Sequence, residues 1–273
     1  MNENTDDIKI EQYDECYFSV RRKILVFFFI FLAALIIFYF AATIFITRGY
    51  REAMYAAYYN SLDVDAYPDN TTMIIIDPGH GGEDSGAQAN NLNEKDINLS
   101  VSKKLAQFLS LSGYTVYLTR TEDVLLYEQG QESKKKYYDL RNRLAIAENN
   151  NNCIFVSIHM NKFPLTSSKG LQVFYSSNNN LSMTLAESIQ NYSKLLNPDN
   201  KRKIKRPELN TIFLLEEIKK PAVLVECGFL SNPSDAALLN NEEYQCKLAF
   251  VIYGGIVNFL SEIDLNENHL STD

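Results

Sequence analysis

The chain has 273 residues, 46% of them hydrophobic and 22% charged, with a formal net charge of -8. That is a globular composition with room for one sizeable domain and little more, and its acidic balance gives a nucleic-acid partner no electrostatic basis. The four cysteines (Cys16, Cys153, Cys227, Cys246) lie far apart with no CxxC pair, which excludes a cysteine zinc knuckle and argues against a disulfide framework; Cys153 and Cys227 read as small core side chains.

Residues 1–23 are a polar N-terminal segment, followed at 24–46 by the uncharged run ILVFFFIFLAALIIFYFAATIFI. Such a run is long enough to cross roughly 30 Å of hydrocarbon as a helix. A core helix of this length would carry a polar face, and a signal peptide would have a shorter apolar region and a small-residue cleavage site. The sequence therefore predicts a single transmembrane helix. Arg21, Arg22 and Lys23 before the span favour a cytoplasmic N-terminus, although Arg48 and Arg51 follow it. Tyr50, Tyr55, Tyr58 and Tyr59 suit a membrane interface, and residues 47–71 form a juxtamembrane segment whose last part, SLDVDAYPDNT, reads as a linker. Everything beyond would be extracytoplasmic.

From residue 72 short apolar runs alternate with helical patterns. MIII (73–76), YTVYL (114–118), CIFVSI (153–158), GLQVFY (170–175) and AVLVE (222–226) read as strands. Ile97, Val101, Leu105, Phe108 and Leu109 fall at helical spacing ahead of Gly113, and further helices are expected at 134–149, 181–196 and 242–261. The alternation predicts an α/β domain over 72–262, with a mainly parallel central sheet flanked by helices on both faces. The remainder, 263–273, is a polar tail containing His269.

Four stretches carry chemistry: IIIDPGHGGEDSGA (74–87) with His80, NEKDINL (93–99) with Glu94, VSIHMN (156–161) with His159, and VLVECGFLSN (223–232) with Glu226. His80, His159 and Glu226 sit at expected strand ends, where open α/β sheets gather their ligands. Taken singly, each has a plainer explanation: a surface histidine, a carboxylate complementing a helix dipole, a satisfied strand-end histidine. Glu226 is the hardest to explain so, because a carboxylate closing an apolar strand is costly without a partner. Together they make a known set: two histidines and a carboxylate (His80, Glu94, His159) as zinc ligands, and a second carboxylate, Glu226, to carry protons.

The blocks DPGHGG, EKDINL, SIHMN and VECGFLSN resemble the signature blocks of the zinc-dependent N-acetylmuramoyl-L-alanine amidases, in order over roughly residues 73–261. SKKKYYDLRNRL (133–144) and the N-terminal anchor resemble the spore-cortex, germination-specific branch. The resemblance implies one Zn2+ on His80, Glu94 and His159, with Glu226 as the catalytic glutamate. It implies cleavage of peptidoglycan between the lactyl group of muramic acid and L-alanine, in cortex maturation through muramic-δ-lactam or in wall remodelling. It also implies a partner protein that activates some members, and a catalytic domain outside the membrane, in the forespore intermembrane space for the spore branch. SIHMNKF departs from the commoner SIHxNA pattern at Met160 and Lys162–Phe163, which bears on the pocket lining rather than on ligation.

Arg143 reads equally as a solvated helix charge or as a contact to a substrate carboxylate or to the sheet; Arg141 reads as a solvated helix charge. The basic runs KKK (134–136) and KRKIKR (201–206) read as solvated loops that could also meet anionic wall polymer or a partner. Asp77 and Asp84 are both candidates to hydrogen-bond a ligand histidine. Two other readings keep the same residues: an inactive wall-binding relative, and a different zinc hydrolase such as a peptidase or sugar deacetylase.

Overall fold

The computed structural model describes residues 22–23, 25–43, 45–46, 72–209 and 211–270, the side chains of 264–270 excepted. The interfacial tyrosines, most of the flanking basic residues and the linker lie outside these, as does the side chain of His269. The chain divides into two compact units, Met1–Ala66 and Tyr67–Asp273.

The first unit contains α1 (Leu25–Thr43), whose mean hydropathy of 2.9 makes it a candidate membrane span. Its large apolar side chains are exposed, as a helix solvated by lipid requires.

The second unit is built on a five-stranded sheet. Its elements are β1 (Met73–Pro78), a hairpin of β2 (Gln88–Ala89) and β3 (Leu92–Asn93), α2 (Glu94–Leu111), β4 (Val116–Leu118), α3 (Lys135–Glu148), β5 (Cys153–Asn161), β6 (Gln172–Tyr175), α4 (Leu181–Tyr192), α5 (Phe213–Glu217), β7 (Ala222–Phe229), α6 (Pro233–Leu239) and α7 (Glu242–Leu270). The sheet order is β4-β1-β5-β7-β6. The pairs β1–β4, β1–β5 and β5–β7 are parallel, while the edge strand β6 runs antiparallel to β7. The expected mainly parallel sheet is present, with GLQVFY as its one reversed member.

Period-two alternation divides the strand residues between two cores. Met73, Ile75, Phe155, Ala222 and Leu224 pack with Ala147, Leu214, Leu215 and Ile218 on the side of α3 and α5. Ile74, Ile76, Ile154, Val156, Val223 and Val225 have the opposite parity and are buried, as are Val101, Leu105 and Leu109 of α2, Leu185 and Ile189 of α4, and Ile252, Ile256 and Phe259 of α7. Glu242–Ile263 is also long and apolar enough to span a membrane, but its buried face packs on α2 and α4 and identifies it as a core helix.

The structure adds elements that the apolar pattern did not signal. Asn90 and Asn91 both adopt positive φ (50° and 58°), the geometry of a two-residue hairpin turn, which closes β2 on β3. At α6, Asn232 caps the backbone N–H groups of Ser234 and Asp235 with Pro233 in the first turn. The final helix continues to Leu270, through much of the segment expected to be a loose tail.

Phe155 is completely buried at the centre of β5. Phe155→Ala is expected to destabilise the domain by about 3–5 kcal/mol, read as a lower midpoint with an unchanged slope in denaturant unfolding.

Candidate metal centre

β1 ends in the DPGHGG turn, which brings His80 out at the sheet's carboxyl end with φ +63°, a conformation non-glycine residues rarely adopt. The turn is crowded. A Cβ on Gly79 would meet the His159 ring at 2.2 Å, and one on Gly86 (φ +65°) would meet Glu94 Oε2 at 2.5 Å. Only glycine permits these approaches.

Glu94, the first residue of α2, is 4% exposed. Its Oε1 accepts from the Met160 backbone N–H (3.0 Å) and lies 2.8 Å from His159 Nδ1. Its Oε2 accepts from the Ala87 N–H at 2.7 Å and lies 3.2 Å from His80 Nε2. The two imidazoles stand edge to face, with centroids 4.9 Å apart. Ligand atoms of His80, Glu94 and His159 all lie within 4.8 Å of one another, so the three could hold a metal ion.

The donor set fits a cation. His80 Nδ1 lies 2.9 Å from Asp84 Oδ2, and when it donates its proton there the Nε2 lone pair faces the Glu94 carboxylate. Two acceptors that close need a positive charge between them, supplied by a proton or a metal. The electrostatics agree: burial works to lower the His80 pKa, but Asp84 and Glu94 outweigh it and raise it to about 9. Burial likewise works to raise the Glu94 pKa, and the two histidines hold it well below the usual carboxylate range. Of the two aspartates considered from sequence, Asp84 is the one on the histidine. Lys136, from the basic run read as solvated, lies 3.3 Å from that same carboxylate.

Glu226 enters by register. It pairs with His159 across β5–β7, so the parallel sheet sets the two side chains side by side. Its Oε2 is buried with no hydrogen-bond partner. Burial first, then the Glu94 charge, raise its pKa to about 8, with His80 pulling the other way.

Two guanidinium groups brace the loop from below. Arg143 is 1% exposed and all five of its donors are engaged inside the protein. It binds Asp139 through Nε (2.9 Å) and Nη2 (3.1 Å), Asp77 (2.5 Å) and the Pro78 carbonyl (2.9 Å) through Nη1, and the His80 carbonyl (2.8 Å) through Nη2. No donor is left for substrate, so the geometry supports the bracing alternative. Asp77 also accepts from Thr119 (2.6 Å) and Ser157 (2.7 Å). Arg141 is exposed, its Nε 3.3 Å from the Tyr137 hydroxyl.

Sequence reasoning missed Arg120, which binds the carbonyls of Pro78 (2.8 Å), Gly79 (3.0 Å), Lys95 (2.9 Å) and Glu122 (3.0 Å). It thereby ties the His80 loop to the first turn of the helix bearing Glu94. Its place two residues after the strand YTVYL was the available signal. Asn98 was missed too; its Nδ2 donates to the Gly79 carbonyl at 3.0 Å.

A mainly parallel α/β domain thus carries two histidines and two carboxylates at one end of its sheet, three of which could hold a metal ion. The model of the N-acetylmuramoyl-L-alanine amidase family matches residues 74–258. The chain is 37% identical over 192 residues to the germination-specific N-acetylmuramoyl-L-alanine amidase of Bacillus subtilis, covering 70% of this chain and 80% of that one. It is 30% identical over 219 residues to the probable cell wall amidase LytH of Staphylococcus aureus, covering 76% of this chain and 66% of that one. The solved structure of the CwlD amidase from Clostridioides difficile, in complex with the GerS lipoprotein, aligns with a TM-score of 0.66 and 40% identity, covering 70% of this chain and 99% of that one. The chain belongs to the N-acetylmuramoyl-L-alanine amidase family, enzymes of the bacterial cell wall, and among its relatives is a germination-specific member.

Arg143→Met leaves Asp77 and Asp139 buried without their counter-ion, and is expected to cost about 3–5 kcal/mol of stability. Burial works to raise the Asp77 pKa, but Arg143 and its hydrogen bonds hold it below the ordinary value. Its stabilising contribution is therefore complete above an unfolded pKa of about 4 and lost as pH falls through the lower folded value. In Arg143→Met burial acts on Asp77 without that opposition, so the variant's stability deficit should be greatest above about pH 4 and shrink as pH falls, read from unfolding midpoints measured against pH.

Proposed function

We propose that this chain is a membrane-anchored, zinc-dependent amidase that hydrolyses the amide between the lactyl group of N-acetylmuramic acid and L-alanine, in spore cortex peptidoglycan on the way to muramic-δ-lactam. The observation that carries the reading is the convergence of His80, Glu94 and His159 ligand atoms within 4.8 Å of one another, beside the unpartnered carboxylate of Glu226. Zinc on those three residues would supply Lewis-acid polarisation of the scissile carbonyl.

The chain's own residues account for the proton. Glu226 accepts it as the attacking water's oxygen bonds to the lactyl carbon, and delivers it to the L-alanine nitrogen as the C–N bond breaks. A carboxyl group whose pKa is raised to about 8 is suited to both halves of that transfer near neutral pH. Asp84 orients His80, and the Met160 N–H orients Glu94. In this reading residues 1–23 are cytoplasmic, 24–46 span the membrane, 47–71 link, 72–262 form the catalytic domain and 263–273 follow it. The spore assignment rests on the germination-specific relative, and the complex of CwlD with the GerS lipoprotein supports a lipoprotein partner for this chain as well.

Two experiments test this. The full chain, purified in detergent, should bind about one zinc and release L-alanine from peptidoglycan. Glu226→Gln should keep the metal and lose about a hundredfold or more in rate, whereas Glu94→Gln should lose the metal itself. Zinc content and L-alanine release measured on both variants decide the roles; loss of zinc in the first and retention in the second would invert them. For topology, a reporter fused after residue 273 should be active only outside the cytoplasm, and cytoplasmic activity would remove the wall substrate from reach.

A further inference from the structure

The basic run 201–206 is not a free loop. Lys205 exchanges backbone hydrogen bonds with the outer edge of β6, its N–H donating to Val173 (3.0 Å) and its carbonyl accepting from Tyr175 (3.1 Å). The run therefore lies against the sheet as an extra edge, with Lys201, Lys203, Lys205 and Arg206 exposed.

Arg202 is fixed where that edge meets the catalytic end. Its guanidinium stacks over the Phe229 ring at 4.4 Å, and its Nε donates to the Lys169 carbonyl at 2.7 Å. Its Nη1 donates to Gln172 Oε1 at 3.0 Å, while Gln172 Nε2 donates to the Lys203 carbonyl at 2.9 Å. Gln172 is the register partner of Glu226 on the neighbouring strand, and directly opposed residues of an antiparallel pair point to the same face. A row thus crosses the top of the sheet from His159 to Glu226 to Gln172, and ends on Arg202.

Arg202 also lines an open depression together with Lys169, Asp199, Asn200 and Lys201. Only two of its five donors are engaged, and among the described residues it forms no ion pair. Asp235 acts on its charge without bonding to it, so an oriented guanidinium with donors unengaged among the described residues borders the depression, the arrangement a carboxylate ligand needs.

We propose that Arg202 is the specificity-determining residue for an anionic stem peptide, receiving a carboxylate carried two to three residues beyond the scissile amide. Strand spacing sets the guanidinium roughly 10 Å from Glu226, and an extended chain covers about 3.5 Å per residue. Residues of the stem that the chemistry does not alter are then held by charge at the sheet edge, which aligns the amide beside Glu226. The inference deepens the amidase reading and rests on it.

The test uses the full chain in detergent with two soluble muramoyl peptides, identical except that the stem carboxylates are free in one and amidated in the other. The wild-type chain should show a KM lower by about tenfold for the free acid, with similar kcat. Arg202→Gln should erase that preference by raising KM for the acid alone, leaving kcat and zinc content within about twofold. Arg202→Lys, which keeps the charge without the fork, should fall between. Equal KM values for acid and amide in the wild-type chain would overturn the proposal without any variant having to fold, as would equal losses on both substrates in Arg202→Gln. A preference that appears only when an acidic partner protein or a polyphosphate-type wall polymer is added would assign the basic edge to that ligand and overturn the proposal as well. Absence of L-alanine release from both substrates in zinc-loaded wild type would overturn the amidase reading itself, and this inference with it.

Discussion

Arg143 carries its charge into the protein directly beneath the loop that presents His80, and much of the site depends on that burial. A guanidinium 1% exposed would be prohibitive alone. Here Asp77 and Asp139 balance it, and its remaining hydrogen bonds go to the carbonyls of Pro78 and His80. Those carbonyls have turned away from the sheet's hydrogen bonding to make the turn, so they need donors from elsewhere. Arg120 supplies further donors, to Pro78 and Gly79 in the turn and to Lys95 on α2. A loop with a left-handed histidine and three tight glycines is thereby held by side-chain donors rather than by regular secondary structure.

That rigidity matters for the charge arrangement above it. Glu94 is nearly buried and sits between two imidazoles, while Glu226, on the next strand, is buried with an unpartnered oxygen. The two carboxylates have opposite fates, one held ionised and the other pushed towards its protonated form at neutral pH. Separation of pKa values within a few ångströms is how two like groups acquire different roles. It persists only if neither side chain can move to share the other's partners, and the braced loop on one side and the strand register on the other prevent that.

The sheet edge extends the same logic outward. Register places Gln172 beside Glu226 and, through its amide, Arg202 beyond it. The basic run 201–206 thus lies along the outer edge of β6, with Lys201, Lys203, Lys205 and Arg206 exposed.

The sequence by itself determined the α/β class, the five strands of the main sheet and the four candidate residues that the fold brings to one end of it, because apolar runs alternating with helical spacing leave a parallel sheet few rivals. His80, His159 and Glu226 were legible because each ends or follows such a run. Glu94 needed its company, since a carboxylate in a first helical turn is commonplace. The tertiary structure decided the rest. The reversal of β6 depends on which edge of the sheet was open, and a four-residue strand reads the same in either direction. The choice of Asp84 over Asp77 beside His80 depends on the path of the DPGHGG turn, and Arg143's bracing role on its distance from Asp77, 66 residues away in sequence. Arg202 carries no local pattern, and Arg120 only its place just after a strand. Their partners are backbone carbonyls, an aromatic face and an amide contributed by other segments, and such contacts exist only once the chain has folded.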